Sequence, residues 1–354
     1  MVRETSAGVP IETPHSIMLV HGDLVGFRHA FGGLPLALAQ SDIDVWGMSM
    51  RWTLVPAGTT DLSFMKEWGL ALHVEDLRLA MAIARQIRYL EGNGRDKMHL
   101  LGYSTGGWIG YAIINAEVAL DESDRQIKGY IPVDTYIKTD DPEIRKHWCN
   151  SATDTEAKRA QGIYHNDNSF FLTFARLALS DPNGTSPFMA PLTNREFALA
   201  AGGASYVGFN GNEPAPFYHW FAASWTPDYS KPTGLAYSDE AAFLEEMSNV
   251  APFQANKLSL DNAQLVCDSV DLPYNDHLSR VTVPTLYVGA GGGFGEYGVY
   301  STTLLGGSDH TNLVIHLASG PEGRRIDYGH IDLMAGGPSR TLVFPQLARW
   351  INAH

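Results

Sequence analysis

The first part of the chain alternates short apolar runs with segments of helical period. Apolar runs at 15–23 and 42–50 end in glycine-containing turns and predict buried strands, with a helix at 32–40 between them. Between residues 70 and 90 apolar side chains recur at three- and four-residue spacing, which predicts a long amphipathic helix.

The same alternation continues beyond residue 90 and returns near the C-terminus. The other predicted strands are 96–103, 126–135 and 281–290, and the other predicted helices are 105–120 and 339–353. Strands that alternate with helices predict an α/β fold with a mostly parallel sheet covered on both faces.

Residues 138–278 interrupt this rhythm. They carry aromatic clusters such as "SFFLTFARLAL" and "FYHWFAASW", with Pro and Gly between them. We expect a large, mainly helical cap in this segment, inserted into an α/β core formed by 1–137 and 279–354.

Composition and charge exclude several classes of partner. Of the 354 residues, 44% are hydrophobic and 18% charged, which is ordinary for a globular protein. The formal net charge is −14, and no Lys/Arg cluster could line a phosphate backbone, so no nucleic-acid partner is expected. No apolar run reaches the about 18 residues of a membrane span.

The two cysteines, Cys149 and Cys267, have no metal-type spacing and form no dense disulfide framework, which favours a reduced compartment. The N-terminal segment "MVRETSAGVPIETPHS" has no signal-peptide pattern. A cytoplasmic protein is expected, with a removed secretion signal as the alternative. The sequence does not indicate an oligomeric state.

Residues 102–107, "GYSTGG", contain a G-x-S-x-G pattern between a predicted strand and a predicted helix. Glycine accepts positive φ angles and close backbone approach, so the spacing predicts a sharp turn that holds Ser104 in a strained, exposed position. Ser104 is therefore a candidate nucleophile. The alternative is a glycine-rich turn that only lets a helix pack closely on a strand.

Two further segments favour the interpretation of Ser104 as a nucleophile over that of a packing turn. "VHGD" ends the first strand, where the loop of a nucleophile-elbow protein supplies an oxyanion donor. "GHIDL" places His330 after every predicted strand, so the chain order of serine, acid and histidine suits a catalytic triad.

With these motifs the sequence resembles the α/β-hydrolase superfamily over residues 16–135 and 281–353. The segments "DVWGMSMRW", "GYSTGG" and "GHIDLMAG" are most similar to its acid-lipase branch. The resemblance implies Ser104 as nucleophile, His330 as general base, and the backbone N–H groups of Asp23 and Thr105 as the oxyanion hole. It also implies that Asp332 braces the histidine loop.

The chain departs from the family pattern before and after the first strand. Only about fifteen residues precede that strand, so the first two strands of the family sheet are expected to be missing. Asp23 stands where the family has an apolar or small residue, and a carboxylate beside a developing oxyanion is unfavourable unless it turns away. Arg28 is a candidate partner for Asp23, and Leu24 a candidate substitute donor.

The acid of the triad is also unusual. The family site lies shortly after "PTLYVG", where this chain has "AGGG". Asp134, at the end of the strand after the nucleophile helix, is the favoured candidate, followed by Glu296 and then Asp309. Asp134 could instead only cap the next turn.

These features predict a serine hydrolase that cleaves a carboxylic ester or lactone of a hydrophobic small molecule, with no metal or organic cofactor. A C–C bond hydrolase, thioesterase or acyltransferase on the same triad is the alternative, and a non-catalytic binding protein a further one. The predicted substrate pocket includes Leu24, Tyr103, Trp220 and Phe221. Other aromatic candidates for its lining, which could equally form the core of the insertion, are Phe170, Phe171, Phe174, Phe217, Tyr218 and Trp225.

Overall fold

The computed structural model describes residues 12–208, 213–320 and 323–354. Residues 1–11, which include most of the N-terminal segment searched for a signal, lie outside this range. The described residues form ten strands: β1 (His15–Val20), β2 (Ile43–Met48), β3 (Met98–Tyr103), β4 (Ile127–Val133), β5 (His165–Asp167), β6 (Ala223–Trp225), β7 (Pro232–Leu235), β8 (Phe253–Ala255), β9 (Thr285–Ala290) and β10 (His310–Ile315).

The main sheet has six strands in the order β10-β9-β4-β3-β1-β2, and every neighbouring pair is parallel. β1 pairs with both β2 and β3, so that Leu19 lies beside Gly47 on one side and Leu101 on the other. In the described residues no strand precedes β1. The predicted α/β fold with a mostly parallel sheet is confirmed.

The helices in the described residues are α1 (Phe27–Ala30), α2 (Leu34–Ala39), α3 (Leu70–Leu90), α4 (Thr105–Glu117), α5 (Pro142–Ala160), α6 (Ser169–Ser180), α7 (Asn194–Gly203), α8 (Ser205–Gly208), α9 (Glu240–Ser248), α10 (Asn256–Cys267), α11 (Val299–Thr302), α12 (Gly323–Ile326), α13 (Asp332–Ala335), α14 (Ser339–Leu342) and α15 (Phe344–Ala353). Helix α3 has the bounds that its apolar spacing predicts. The predicted C-terminal helix is divided into α14 and α15, because Pro345 in the first turn of α15 cannot donate a backbone hydrogen bond to a preceding turn.

The sheet buries apolar side chains on both faces. Alternate residues of β1 enter opposite layers: Ile17 and Leu19 join one buried cluster, whereas Met18 and Val20 join the other. Successive side chains of a strand point to opposite faces, so a strand covered on both sides reads as a continuous apolar run. No helix in the described ranges is long and apolar enough to cross a membrane.

Two features of the strands were not predicted. Strand β10 at the sheet edge was missed, because its sequence "HTNLVI" has three polar residues and is only partly buried. Within 138–278, the described residues (138–208 and 213–278) form six helices and also four strands of three or four residues, which make two antiparallel pairs. Strands this short carry too few residues for an alternating pattern to be recognised.

The two cysteines form a disulfide, which contradicts the expectation of reduced thiols. Cys149 on α5 and Cys267 at the end of α10 have Cα atoms 4.8 Å apart, although 118 residues separate them in sequence. Only the packing of α5 against α10 brings them together, so spacing along the chain could not reveal the pair. The cysteine content therefore no longer supports a cytoplasmic location.

Candidate active site

Ser104 lies in the sharp turn between β3 and α4, at the carboxyl edge of the sheet. Its φ of 55° and ψ of −123° are strained for a residue with a side chain. Its N–H donates to the carbonyl of Val133 at 2.9 Å, which ties the turn to β4. A Cβ at Gly106 would lie 2.2 Å from the carbonyl oxygen of Val20, so only glycine lets α4 pass this close to β1.

The side chains of Asp134 and His330 are joined by a short, buried hydrogen bond. Asp134 directly follows β4, and its Oδ2 atom is 2.6 Å from Nδ1 of His330. A carboxylate at this distance holds the proton on Nδ1, which makes Nε2 the basic nitrogen of the ring. The structure thus brings the favoured acid of the sequence analysis to the predicted histidine, across 196 positions of sequence.

The Asp134 carboxylate also accepts backbone hydrogen bonds from the glycine-rich loop after β9. Its Oδ1 atom accepts from the N–H groups of Ala290 at 2.8 Å, Phe294 at 3.1 Å and Gly295 at 3.1 Å. A Cβ at Gly293 would lie 2.0 Å from Oδ2. This loop therefore provides amide donors and space for an acid that comes from another strand.

An aromatic ring and a backbone hydrogen bond hold His330 in place. The His330 ring stacks on Tyr103, with ring centroids 4.9 Å apart and planes 23° apart, and the Tyr103 hydroxyl donates to the His330 carbonyl at 3.2 Å. The His330 N–H donates to the carbonyl of His219 at 3.0 Å. Both contacts restrict the position and the tilt of the imidazole.

Asp332 braces the histidine loop, as the resemblance implied. Its Oδ2 atom accepts from the N–H groups of Ala222 at 2.8 Å and Gly329 at 2.9 Å, and its Oδ1 accepts from the hydroxyl of Ser238. Burial raises the pKa of Asp332 to about 6, against the opposing effect of these hydrogen bonds.

The other two candidate acids bind different histidines. Glu296 Oε1 is 2.5 Å from Nε2 of His316, whose Nδ1 is 2.7 Å from Asp327. Asp309 pairs with the C-terminal His354 at 3.3 Å. Neither acid contacts His330 in the described contacts, so the alternative assignment to Glu296 is not supported by the geometry.

His21 fixes the loop that carries Asp23. Its Nδ1–H donates to the carbonyl of Gly22 at 2.7 Å, and its Nε2 accepts from the N–H of Met50 at 2.9 Å. Burial lowers the pKa of His21 to about 4, so the ring is neutral and can accept at Nε2. The sequence pattern predicts no role for this histidine beyond its place in "VHGD". The signal available was its place directly before Gly22.

Gly22 lies against the serine. A Cβ at this position would be 2.8 Å from Cβ of Ser104, so a glycine is needed for the loop to approach. Asp23 is the next residue, and Thr105 begins α4, where the first backbone N–H groups have no partner within the helix. Of the two predicted donors, Thr105 is thus the chain neighbour of Ser104, and Asp23 is the chain neighbour of Gly22, which packs on Ser104.

The side chain of Asp23 turns to Gln254 rather than to Arg28. Its Oδ1 atom accepts from Nε2 of Gln254 at 2.5 Å, whereas Arg28 is exposed to solvent. Burial raises the pKa of Asp23, while the Thr105 hydroxyl, His330 and Gln254 act in the opposite direction. The proposed pairing with Arg28 was wrong because the true partner comes from β8, 231 positions away.

A cavity of about 420 Å³ opens at Ser104 and His330. Leu24, Tyr103 and Trp220 line it, as predicted. Phe221 does not line it: the ring is buried in the core and packs on Phe243 with centroids 4.8 Å apart. The sequence could not distinguish Trp220 from the adjacent Phe221, since the backbone conformation decides which of the two rings faces the cavity.

Other residues of the cavity wall were partly missed. Of the remaining aromatic candidates, Phe171 and Tyr218 contribute to it, and Phe170, Phe174, Phe217 and Trp225 do not. Trp148 and Glu246 also line it and were not predicted. No Lys or Arg is among its described lining residues. In the described ranges no three His, Cys, Asp or Glu side chains gather as a metal site.

A six-stranded parallel sheet, a strained serine between strand and helix, and a histidine loop after the last strand together define the α/β-hydrolase fold. The structure is similar to a Sulfolobus solfataricus protein provisionally described as a lipase, with a TM-score of 0.62 and 18% identity over 97% of this chain and 87% of that one. It is also similar to a soluble variant of monoglyceride lipase from Saccharomyces cerevisiae, with a TM-score of 0.51 and 12% identity over 99% and 90% of the two chains. No protein-family model and no curated protein matches the sequence.

Proposed function

We propose that this protein is a serine hydrolase that cleaves a carboxylic ester or lactone of a hydrophobic small molecule. The observation that carries the proposal is the buried 2.6 Å hydrogen bond between Asp134 and His330 beside the cavity that Ser104 lines. A buried carboxylate on one nitrogen of a histidine, with a strained serine nearby, is an arrangement suited to nucleophilic catalysis.

In the proposed mechanism Ser104 Oγ attacks the ester carbonyl carbon and His330 Nε2 accepts the hydroxyl proton. The tetrahedral oxyanion accepts hydrogen bonds from the backbone N–H groups of Asp23 and Thr105. Asp134 stabilises the imidazolium that forms. The C–O bond then breaks, His330 protonates the leaving alcohol, and an acyl-enzyme on Ser104 remains. His330 then deprotonates a water molecule, which attacks the carbonyl carbon of the acyl-enzyme. The bond between this carbon and Ser104 Oγ breaks, His330 returns the proton to Oγ, and the carboxylic acid is released.

The wall of the cavity supports a hydrophobic substrate. Trp148, Tyr218 and Trp220 contribute aromatic surface, which favours an apolar acyl, alcohol or ring portion. All three come from residues 138–278, and we infer that this segment acts as a cap that sets the size of the substrate.

Active-site labelling followed by an acyl series tests this function. A fluorophosphonate probe should label the folded wild type at Ser104 and leave Ser104→Ala unlabelled. The wild type should hydrolyse p-nitrophenyl esters of graded acyl length, and Ser104→Ala should lose at least about 10⁴-fold in kcat/KM. Thr303→Ala, at an exposed residue directly after α11, is the control for a lost hydroxyl.

Failure of the wild type to label or to turn over any ester would overturn the proposal in favour of a binding protein. Addition of an alcohol acceptor to the same assay separates hydrolysis from acyl transfer. Formation of a new ester in preference to free acid would identify an acyltransferase.

A further inference from the structure

Glu246 is an acidic group in the wall of the cavity that the proposed mechanism does not use. It lies on α9, where Phe243 and Met247 are buried in the core. Glu246 itself is half-buried and lines the cavity together with Ser104 and His330. The helix thus presents a carboxyl group to the same space as the candidate nucleophile.

This carboxyl group has no cationic partner among the described residues. None of the described salt bridges or side-chain hydrogen bonds involves it, and no Lys or Arg is among the described lining residues of the cavity. Burial raises its pKa to about 8, with no neighbouring charge opposing the rise. A carboxyl group desolvated without compensation reduces stability, and such groups are concentrated at binding and catalytic sites.

The rest of the wall suits a cation. Asp23 supplies a second carboxyl group, and Trp148, Tyr218 and Trp220 supply aromatic rings. Ring faces attract cations, and this attraction is strengthened where water is excluded. An anionic substrate would meet these two acidic groups and no Lys or Arg among the described lining residues, whereas an ammonium group would neutralise the charge of Glu246.

We propose that Glu246 determines specificity by binding an ammonium group carried by the substrate, on either its acyl or its alcohol portion. This inference rests on the proposed ester hydrolysis. It narrows the substrate class from hydrophobic esters to hydrophobic esters that carry an ammonium group. Binding of the cation holds Glu246 in its ionised form and positions the ester carbonyl over Ser104.

Two matched pairs of esters test this role, one for each portion of the substrate. The first is p-nitrophenyl ε-aminocaproate against p-nitrophenyl heptanoate, in which a methyl group replaces the ammonium group. The second is the choline ester of hexanoic acid against its uncharged neohexyl isostere. For each pair kcat/KM is measured in the wild type, in Glu246→Gln and in Glu245→Gln.

Glu245→Gln is the control, because it removes the same charge from an exposed neighbour on the same helix. At least one pair should show a wild-type preference for the cationic ester of about 10- to 100-fold, as expected for a hydrogen bond or ion pair to a charged group. Glu246→Gln should bring that ratio close to one, and Glu245→Gln should keep it.

The outcomes separate this inference from the proposed function. Hydrolysis of the neutral esters with no cation preference, or with a preference that survives Glu246→Gln, would overturn the role of Glu246 and leave the ester hydrolase standing. If no ester is hydrolysed, calorimetric binding of hexanoylcholine to the wild type and to Glu246→Gln decides the question. Equal affinity for the two proteins would overturn the inference.

Discussion

Asp134 and His330, which lie 196 positions apart, are joined by a hydrogen bond of 2.6 Å that is closed off from solvent. The carboxylate reaches the imidazole because β4 ends beside the glycine-rich loop after β9. The N–H groups of Phe294 and Gly295 in this loop donate to Oδ1 of the carboxylate, while Oδ2 is bonded to His330. An acid at the end of β4 therefore takes the position next to the histidine, and the loop after β9 stabilises its charge.

This relationship predicts different effects for the two candidate acids. Asp134→Asn should lower kcat for a p-nitrophenyl ester by about 10⁴-fold, because the amide would favour the wrong imidazole tautomer and could not stabilise the imidazolium. Glu296→Gln should lower kcat by less than about tenfold, since its carboxylate binds His316 instead. Initial-rate measurements on both folded variants check this, and a larger loss for Glu296→Gln would refute the assignment.

A second prediction concerns the contact between Gly22 and the serine. In Gly22→Ala the new methyl group would lie 2.8 Å from Cβ of Ser104 and displace either the serine or the loop of Asp23. A displacement of this kind should reduce kcat/KM by about 100-fold. Gly58→Ala, where nothing lies within 4 Å of the added methyl group, is the matched control and should keep wild-type activity. Similar activities of the two variants would contradict the packing argument.

The buried, neutral His21 predicts a loss of stability in acid. Its pKa is about 4 in the folded protein and 6.5 in the unfolded chain, so the unfolded state binds more protons between these values. The stabilising contribution is complete above pH 6.5 and disappears as the pH falls toward 4. His21→Gln should make the pH dependence of the unfolding free energy shallower there, by up to about 1.4 kcal/mol per pH unit. Denaturant titrations at several pH values measure it. An unchanged slope would show that His21 is not held neutral.

Glu246 predicts the opposite dependence on pH. Its pKa is about 8 in the folded protein and 4.5 in the unfolded chain, so the folded state binds more protons in this interval and stability falls as the pH rises through it. Other titratable groups that line the same cavity as Glu246 include those of Asp23, Tyr103, His147 and His330. Glu246→Gln should be more stable than the wild type above pH 8, by at least about 1.4 kcal/mol, the equivalent of one pKa unit.

The difference between Glu246→Gln and the wild type should disappear below pH 4.5. Thermal unfolding of the ligand-free proteins from pH 4 to pH 9 checks this, with Glu245→Gln as the exposed control expected to follow the wild type. Parallel curves for all three proteins would show that Glu246 titrates like a solvated carboxyl group.

Local patterns were sufficient for five of the six strands of the main sheet and for its long helices. The spacing of apolar residues gave α3 its observed bounds, and the glycines around Ser104 predicted a turn that has the expected positive φ. Both depend on residues that are close together in the chain, since helical faces and turns are local arrangements. Strand β10 was missed because it lies at the edge of the sheet and is only partly buried. Three of its six residues are polar, so its sequence lacks the local apolar pattern of a strand.

Long-range contacts set the limit of sequence reasoning at the candidate site. The sequence by itself determined a parallel sheet, a serine turn and a histidine after the last strand. Only the tertiary structure decided that Asp134 rather than Glu296 binds His330, that Gln254 rather than Arg28 binds Asp23, and that Cys149 meets Cys267. Each of these pairs joins residues more than a hundred positions apart, and their approach depends on strand order and helix packing, which no short segment of sequence contains.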